Sequence, residues 1–272
     1  MAGNQGVDQL YDSRRGLPAA VGVAVAAFVL FGLQATLPGL ALLLASVALA
    51  WFTSRALGQD LFLIGLGLAI VASTSVAADI SWPSFWRIGA TLGTAVLVPL
   101  VVDRLVYRRK VIVFPWRSGR RWTSWQRSYL VIVPLLAWLV LPFYFIRSGA
   151  YQNWPVITEP SEYARFFVGV NAVGTWDELF FVCTCFALLR RHFPLWQANL
   201  LQGLIFVSFL WELGYQAWGP VLTFPFALLQ GFLFTRSRSL TYVLIVHLIF
   251  DAVVFLAIVH AHNPSVFPFF LY

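Results

Sequence analysis

Long apolar runs alternate with short polar breaks along most of the chain. The runs fall at 17–36, 39–54, 61–79, 85–103, 128–147, 163–189, 196–216, 219–235 and 240–261. A membrane-spanning helix needs about 20 mostly apolar residues, and each run approaches that length. Within the runs the apolar positions are continuous rather than alternating, which favours helices over the strands of a water-filled barrel. The first two runs are short and meet near Pro38-Gly39, so a hairpin or a less regular pair is expected there. The pattern predicts an all-α, polytopic membrane protein with about eight or nine transmembrane helices.

The polar breaks are asymmetric in charge. Nine spans with the N-terminus inside would make 1–16, 55–60, 104–127, 190–195 and 236–239 cytoplasmic. Those segments hold 15 of the 18 Lys and Arg residues, and the other three, Arg87, Arg147 and Arg165, lie at the opposite ends. Basic loops stay in the cytoplasm, so a cytoplasmic N-terminus is expected. Residues 1–16 carry Asp8, Asp12, Arg14 and Arg15. They lack the order of a cleavable signal peptide and read as a cytoplasmic tail. The longest break, 104–127, is basic and interleaved with Trp116, Trp122 and Trp125. It predicts contact with anionic lipid headgroups, with an ordinary positive-inside loop as the simpler alternative. It separates an N-terminal helical half, 17–103, from a C-terminal half, 128–262, and 263–272 form a short tail.

Composition agrees with this pattern. The 272 residues are 60% hydrophobic and 11% charged, against roughly 25% charged in a soluble domain. That excludes a soluble enzyme and a disordered chain. The net charge of +7 is explained by the inside loops, so no nucleic-acid partner is expected. A bacterial inner (plasma) membrane is the expected location. Cys183 and Cys185 lie inside an apolar run and suggest no disulfide framework. As small buried side chains they make poor nucleophiles, because an apolar setting raises a thiol's pKa. Gly89-x-x-x-Gly93 is expected to be a close helix-packing contact. His260 and His262 are expected at the interface.

Ionisable side chains in hydrocarbon are costly and mark functional sites. The first five runs carry theirs only at the ends. The later ones are different: Asp177 and Glu178 lie in the sixth, Glu212 in the seventh, and His247 and Asp251 in the ninth. At 1.5 Å per residue, Asp177, Glu178 and Asp251 all fall roughly 15–18 Å from the cytoplasmic ends, His247 about 10 Å and Glu212 about 24 Å. His247 and Asp251, four apart, share a helix face. Asp177 and Glu178 point about 100° apart. Such a set requires shared protons, a bound cation or water. Carboxylates and His are ligands for a divalent metal such as Zn, with Glu178, His247, Asp251 and Glu212 as the candidate ligands. A carboxylate can also activate water while His stabilises an oxyanion. Spacing alone leaves hydrolysis, transport and structural polar packing open.

The C-terminal half, about 163–262, resembles the CAAX-processing and bacteriocin-processing (CPBP, or Abi) family of intramembrane endopeptidases. The family's E-E-x-x-x-R motif is matched by Asp177-Glu178-Leu179-Phe180-Phe181-Val182, in a helix closing on Arg190-Arg191. Its H-x-x-x-N/D motif is matched by His247-Leu248-Ile249-Phe250-Asp251. The departures are Asp177 in place of the first Glu, Val182 at the Arg position, and no F-x-x-x-H. Phe206 is followed four residues later by Leu210, and Phe209 by Leu213. The resemblance implies about eight helices around a conical cavity and cleavage of a membrane-associated protein or peptide substrate. It casts Asp177 as the acid that activates water, with Glu178, His247 and Asp251 completing the catalytic set. The departures leave a second reading: a non-catalytic pseudoprotease, immunity factor or transport-type membrane protein.

Overall fold

The computed structural model describes residues 3–119 and 121–272, with side chains from Arg14 onward. Arg120 of the basic break therefore lies outside the described residues, as do the side chains of Asp8 and Asp12. Among the described residues the chain forms helices and no strands. The long helices are α1 (Gly3–Ala27), α2 (Thr36–Thr53), α3 (Arg55–Val71), α4 (Trp82–Val101), α5 (Ser124–Ser148), α6 (Pro160–Asp177), α7 (Leu195–Leu213), α8 (Gly219–Ser237) and α9 (Leu240–His262). α6 continues without a break through a π-helical stretch, Glu178–Phe186, to Leu189. Among the described residues six helices are long and apolar enough to cross a membrane: α1 from Arg14 onward, α2, α4, α5, α6 and α9.

Polar residues at the run boundaries set the helix ends. The Ser54 hydroxyl accepts the Leu57 amide at the start of α3, and Ser81 does the same for Ser84 at the start of α4. Thr123 and Gln126 form a reciprocal capping box on α5, and Ser239 caps α9. Each such cap satisfies backbone N–H groups that the first helical turn leaves unpaired. The third run was expected at 61–79, but α3 begins six residues earlier and an irregular segment follows Val71. The Ser54 cap and the Ser73-Thr74-Ser75 break displace it. The segment expected as a tail has helical backbone from Gly3 onward.

The two halves of the chain share one core. α1 packs on α2 and on α7, α3 packs on α4 and on the end of α6, and α9 lies between α5 and α6. α6 is the central span, with 72% of its most apolar window buried, against 22% for α4 and 28% for α2. The outer helices show their apolar side chains outward, Leu37, Leu44 and Phe52 among them, as lipid-facing surfaces do. An aromatic stack fills the centre. Trp176 lies flat on Phe180 at 5.0 Å and Phe181 on Phe206 at 4.5 Å.

At one end of the bundle the basic break turns partly inward. Asp60 and Asp103 are fully buried. Asp60 pairs with Arg109 at 2.9 Å, Arg191 at 2.6 Å and His192 at 2.7 Å. Asp103 pairs with Arg109 at 3.1 Å and accepts the Val111 and Ile112 amides. Further along, the Pro115 and Trp116 carbonyls accept the Leu240 and Thr241 amides at the start of α9. Trp116 and Trp125 remain exposed, while Trp122 packs edge-on against Tyr242. Arg104 and Arg109 therefore serve the fold: Arg104 donates to the Ile112 carbonyl. At the opposite end His260, expected at the interface, is buried and faces the Val266 and Tyr272 carbonyls. It holds the C-terminal tail against α9.

Candidate active site

α6 and α9 bring three carboxylates around one imidazole. α9 carries His247 and Asp251 one helical turn apart, and α6 carries Asp177 and Glu178. The two helices approach closely because residue 174 is glycine. A Cβ there would strike the Asp251 carboxylate and stand 3.1 Å from His247 Cδ2. Gly174→Ala is therefore expected to push Asp251 aside and cost about 1–3 kcal/mol through overpacking. Thermal unfolding of the purified protein would show it as a lowered Tm, and an unchanged Tm would refute this account of the contact.

His247 Nδ1 lies 2.7 Å from Glu178 Oε1. The Gln230 amide on α8 donates to the same oxygen at 2.7 Å. Oε1 is thus the acceptor of both bonds, and Nδ1 carries its proton. That fixes the ring and leaves Nε2 facing Asp177 Oδ2 and Asp251 Oδ1, each at 3.7 Å. These distances exceed a direct hydrogen bond. Asp177 Oδ1, Glu178 Oε2 and Asp251 Oδ2 are buried with no hydrogen-bond partner. Phe226 stands edge-on to the imidazole at 5.1 Å, and Phe206 lies at 6.2 Å.

A cavity of about 720 Å³ reaches this cluster, within the range of small-ligand sites. Asp177, His247 and Asp251 line it, and Glu178 does not. The 100° between neighbours on a helix separates the two acids: Asp177 faces the cavity and Glu178 the Gln230 side. The π-helical stretch begins at Glu178, a feature frequent at functional sites. The cavity runs between α4 and α6 towards the end of the bundle away from the basic break, where Asp79 and Arg165 line it.

Glu212 is not part of the cluster. Its carboxylate accepts the Val76 amide at 3.2 Å and pins the segment between α3 and α4, as its separate depth along α7 foreshadowed. Gly89 and Gly93, expected to pack against a helix, instead line the cavity, and a Cβ at either meets nothing within 4 Å. Cys183 and Cys185 are buried and do not line the cavity. Thr175 and Asn171 bond back to carbonyls of their own helix. Among the described residues no three His, Cys, Asp or Glu side chains converge in a group able to hold a metal ion. Glu212 is held at the Val76 amide, so the four expected ligands do not gather at one point.

Gln230 escaped the sequence reading. It is fully buried, and its signal was a lone amide in an apolar run, which a search for ionisable groups passes over. At the family's departures the structure places Val182 in the fully buried core and Leu210 in the cavity wall.

Residues 159–253 match the family model described as Rce1-like, type II CAAX prenyl endopeptidase. This is the CPBP family that the two motifs resemble, and the matched stretch contains both. No curated protein and no solved structure matches the chain.

Proposed function

We propose that the protein is an intramembrane endopeptidase of the CAAX-processing type, cutting a membrane-associated protein or peptide with water activated by Asp177. The observation that carries this reading is the arrangement of His247 Nε2 opposite Asp177 and Asp251 at the inner end of a cavity. The family match over 159–253 supports the same class of chemistry.

In this reading a water sits between Asp177, Asp251 and His247 Nε2. Asp177 takes a proton as the water oxygen bonds to the substrate carbonyl carbon. His247, when Nε2 is protonated, donates to the developing oxyanion. The carbon–nitrogen bond then breaks as Asp177 returns that proton to the leaving nitrogen. Glu178 and Gln230 are positioning residues, because they hold the imidazole from behind and do not line the cavity.

The test is cleavage of an internally quenched, lipidated peptide by the full-length protein in proteoliposomes. Wild type should cut it, and His247→Ala should lose activity by about 10²-fold or more while still inserting and folding. A wild type that binds the peptide without cutting it would favour the pseudoprotease reading instead.

A further inference from the structure

The cavity has two polar ends, and only the inner one is used by the proposed chemistry. At the outer end Arg165 on α6 lies over the Trp82 ring, 4.7 Å from its centroid. Its Nε is buried and has no hydrogen-bond partner. The indole N–H of Trp154, which lines the same cavity, is also buried and unpartnered. Buried donors without acceptors are costly, so an acceptor is the complement this end lacks.

The nearby acids are already engaged. Asp79 accepts the Ser81 amide at 2.8 Å and the Ser84 hydroxyl at 2.6 Å. Glu162, one turn before Arg165 and in electrostatic contact with it, accepts the Thr158 and Glu159 amides at 3.0 and 3.1 Å. Between the two ends the wall is apolar, built from Phe85, Leu92, Val96, Val173 and Phe250. Arg165 and Asp177 are twelve residues apart on one helix, or about 18 Å along its axis.

We infer that Arg165 holds the anionic end group, a carboxylate or phosphate, of a long apolar molecule lying in this cavity. Arg is suited to this role because its planar fork matches both oxyanions, and stacking on Trp82 fixes its plane. The occupant is an amphiphile with one charged end near Arg165 and an apolar body along α4 and α6. Gly89 and Gly93, with open space in front of them, leave room for that body. The inference does not depend on proteolysis. Where the proteolytic reading holds, Arg165 determines which substrates align with Asp177.

The experiment is photocrosslinking of the full-length protein with three diazirine probes of equal chain length: a fatty acid, an alkyl phosphate and the fatty acid's methyl ester. Labelled positions are mapped by peptide mass spectrometry. At least one anionic probe should label α4 and α6 peptides about fivefold more than the ester, a difference of about 1 kcal/mol. Which anion labels more identifies the end group. Arg165→Gln should abolish the preference, and Arg165→Lys should keep part of it. Gly93→Phe should block all three probes by filling the cavity. Asp177→Asn should leave the preference intact, which separates this result from any failure of the proteolytic reading. Equal labelling by acid, phosphate and ester in the wild type would overturn the inference, as would a preference that survives Arg165→Gln.

Discussion

Asp177→Asn is expected to lower peptide cleavage by about 10²–10⁴-fold, with a much smaller effect on thermal unfolding. The amide keeps the size of the carboxylate but cannot take a proton from water. Asp177 lines the cavity, and its Oδ1 has no hydrogen-bond partner to lose. Glu178→Gln should cost less. Its side chain keeps an oxygen that can accept from His247 Nδ1 and from Gln230, so the ring remains held. The measurement is kcat and KM for both variants against the lipidated peptide. An Asp177→Asn protein as active as wild type would remove Asp177 from the mechanism. Loss confined to Glu178→Gln would exchange the two roles.

Asp60→Ala should be the most destabilising single change outside the site. Asp60 is fully buried and receives Arg109, Arg191 and His192. Removing it takes the shared acceptor from Arg191 and His192, while Arg109 keeps Asp103, and losing such a buried hydrogen-bonded acceptor costs about 1–3 kcal/mol. The loss would fall where α3, the basic break and the end of α6 meet. It would therefore loosen the joint between the N-terminal helices and the span carrying Asp177. Thermal unfolding of the purified protein should show a large fall in Tm. A Tm close to wild type would mean that the cluster is solvated and contributes little. Asn at this position should recover part of the loss, since its oxygen still accepts from Arg191.

The class of protein and the candidate residues were legible along the chain. Continuous apolar runs permit only helices in a membrane, because every backbone group must be bonded within its own segment. Charges are so costly in hydrocarbon that Asp177, Glu178, His247 and Asp251 stood out without a structure. The i, i+4 spacing of His247 and Asp251 fixed their shared face, since helix geometry is local. What spans different helices was not legible. The partner of His247 Nδ1 is an amide-braced Glu178, and Gln230 reaches it from α8 with no local sequence signal. Asp60 fell inside the expected break 55–60, whereas α3 already begins at Arg55. Glu212 and the Gly89/Gly93 pair kept their predicted helices but not their expected contacts. One acid turned to a backbone amide, and the glycines turned to open space. The choice between Asp177 and Glu178 as the cavity-facing acid was also tertiary. A helix fixes the angle between neighbours, but only the packing of α6 against α8 and α9 decides which of them faces the cavity.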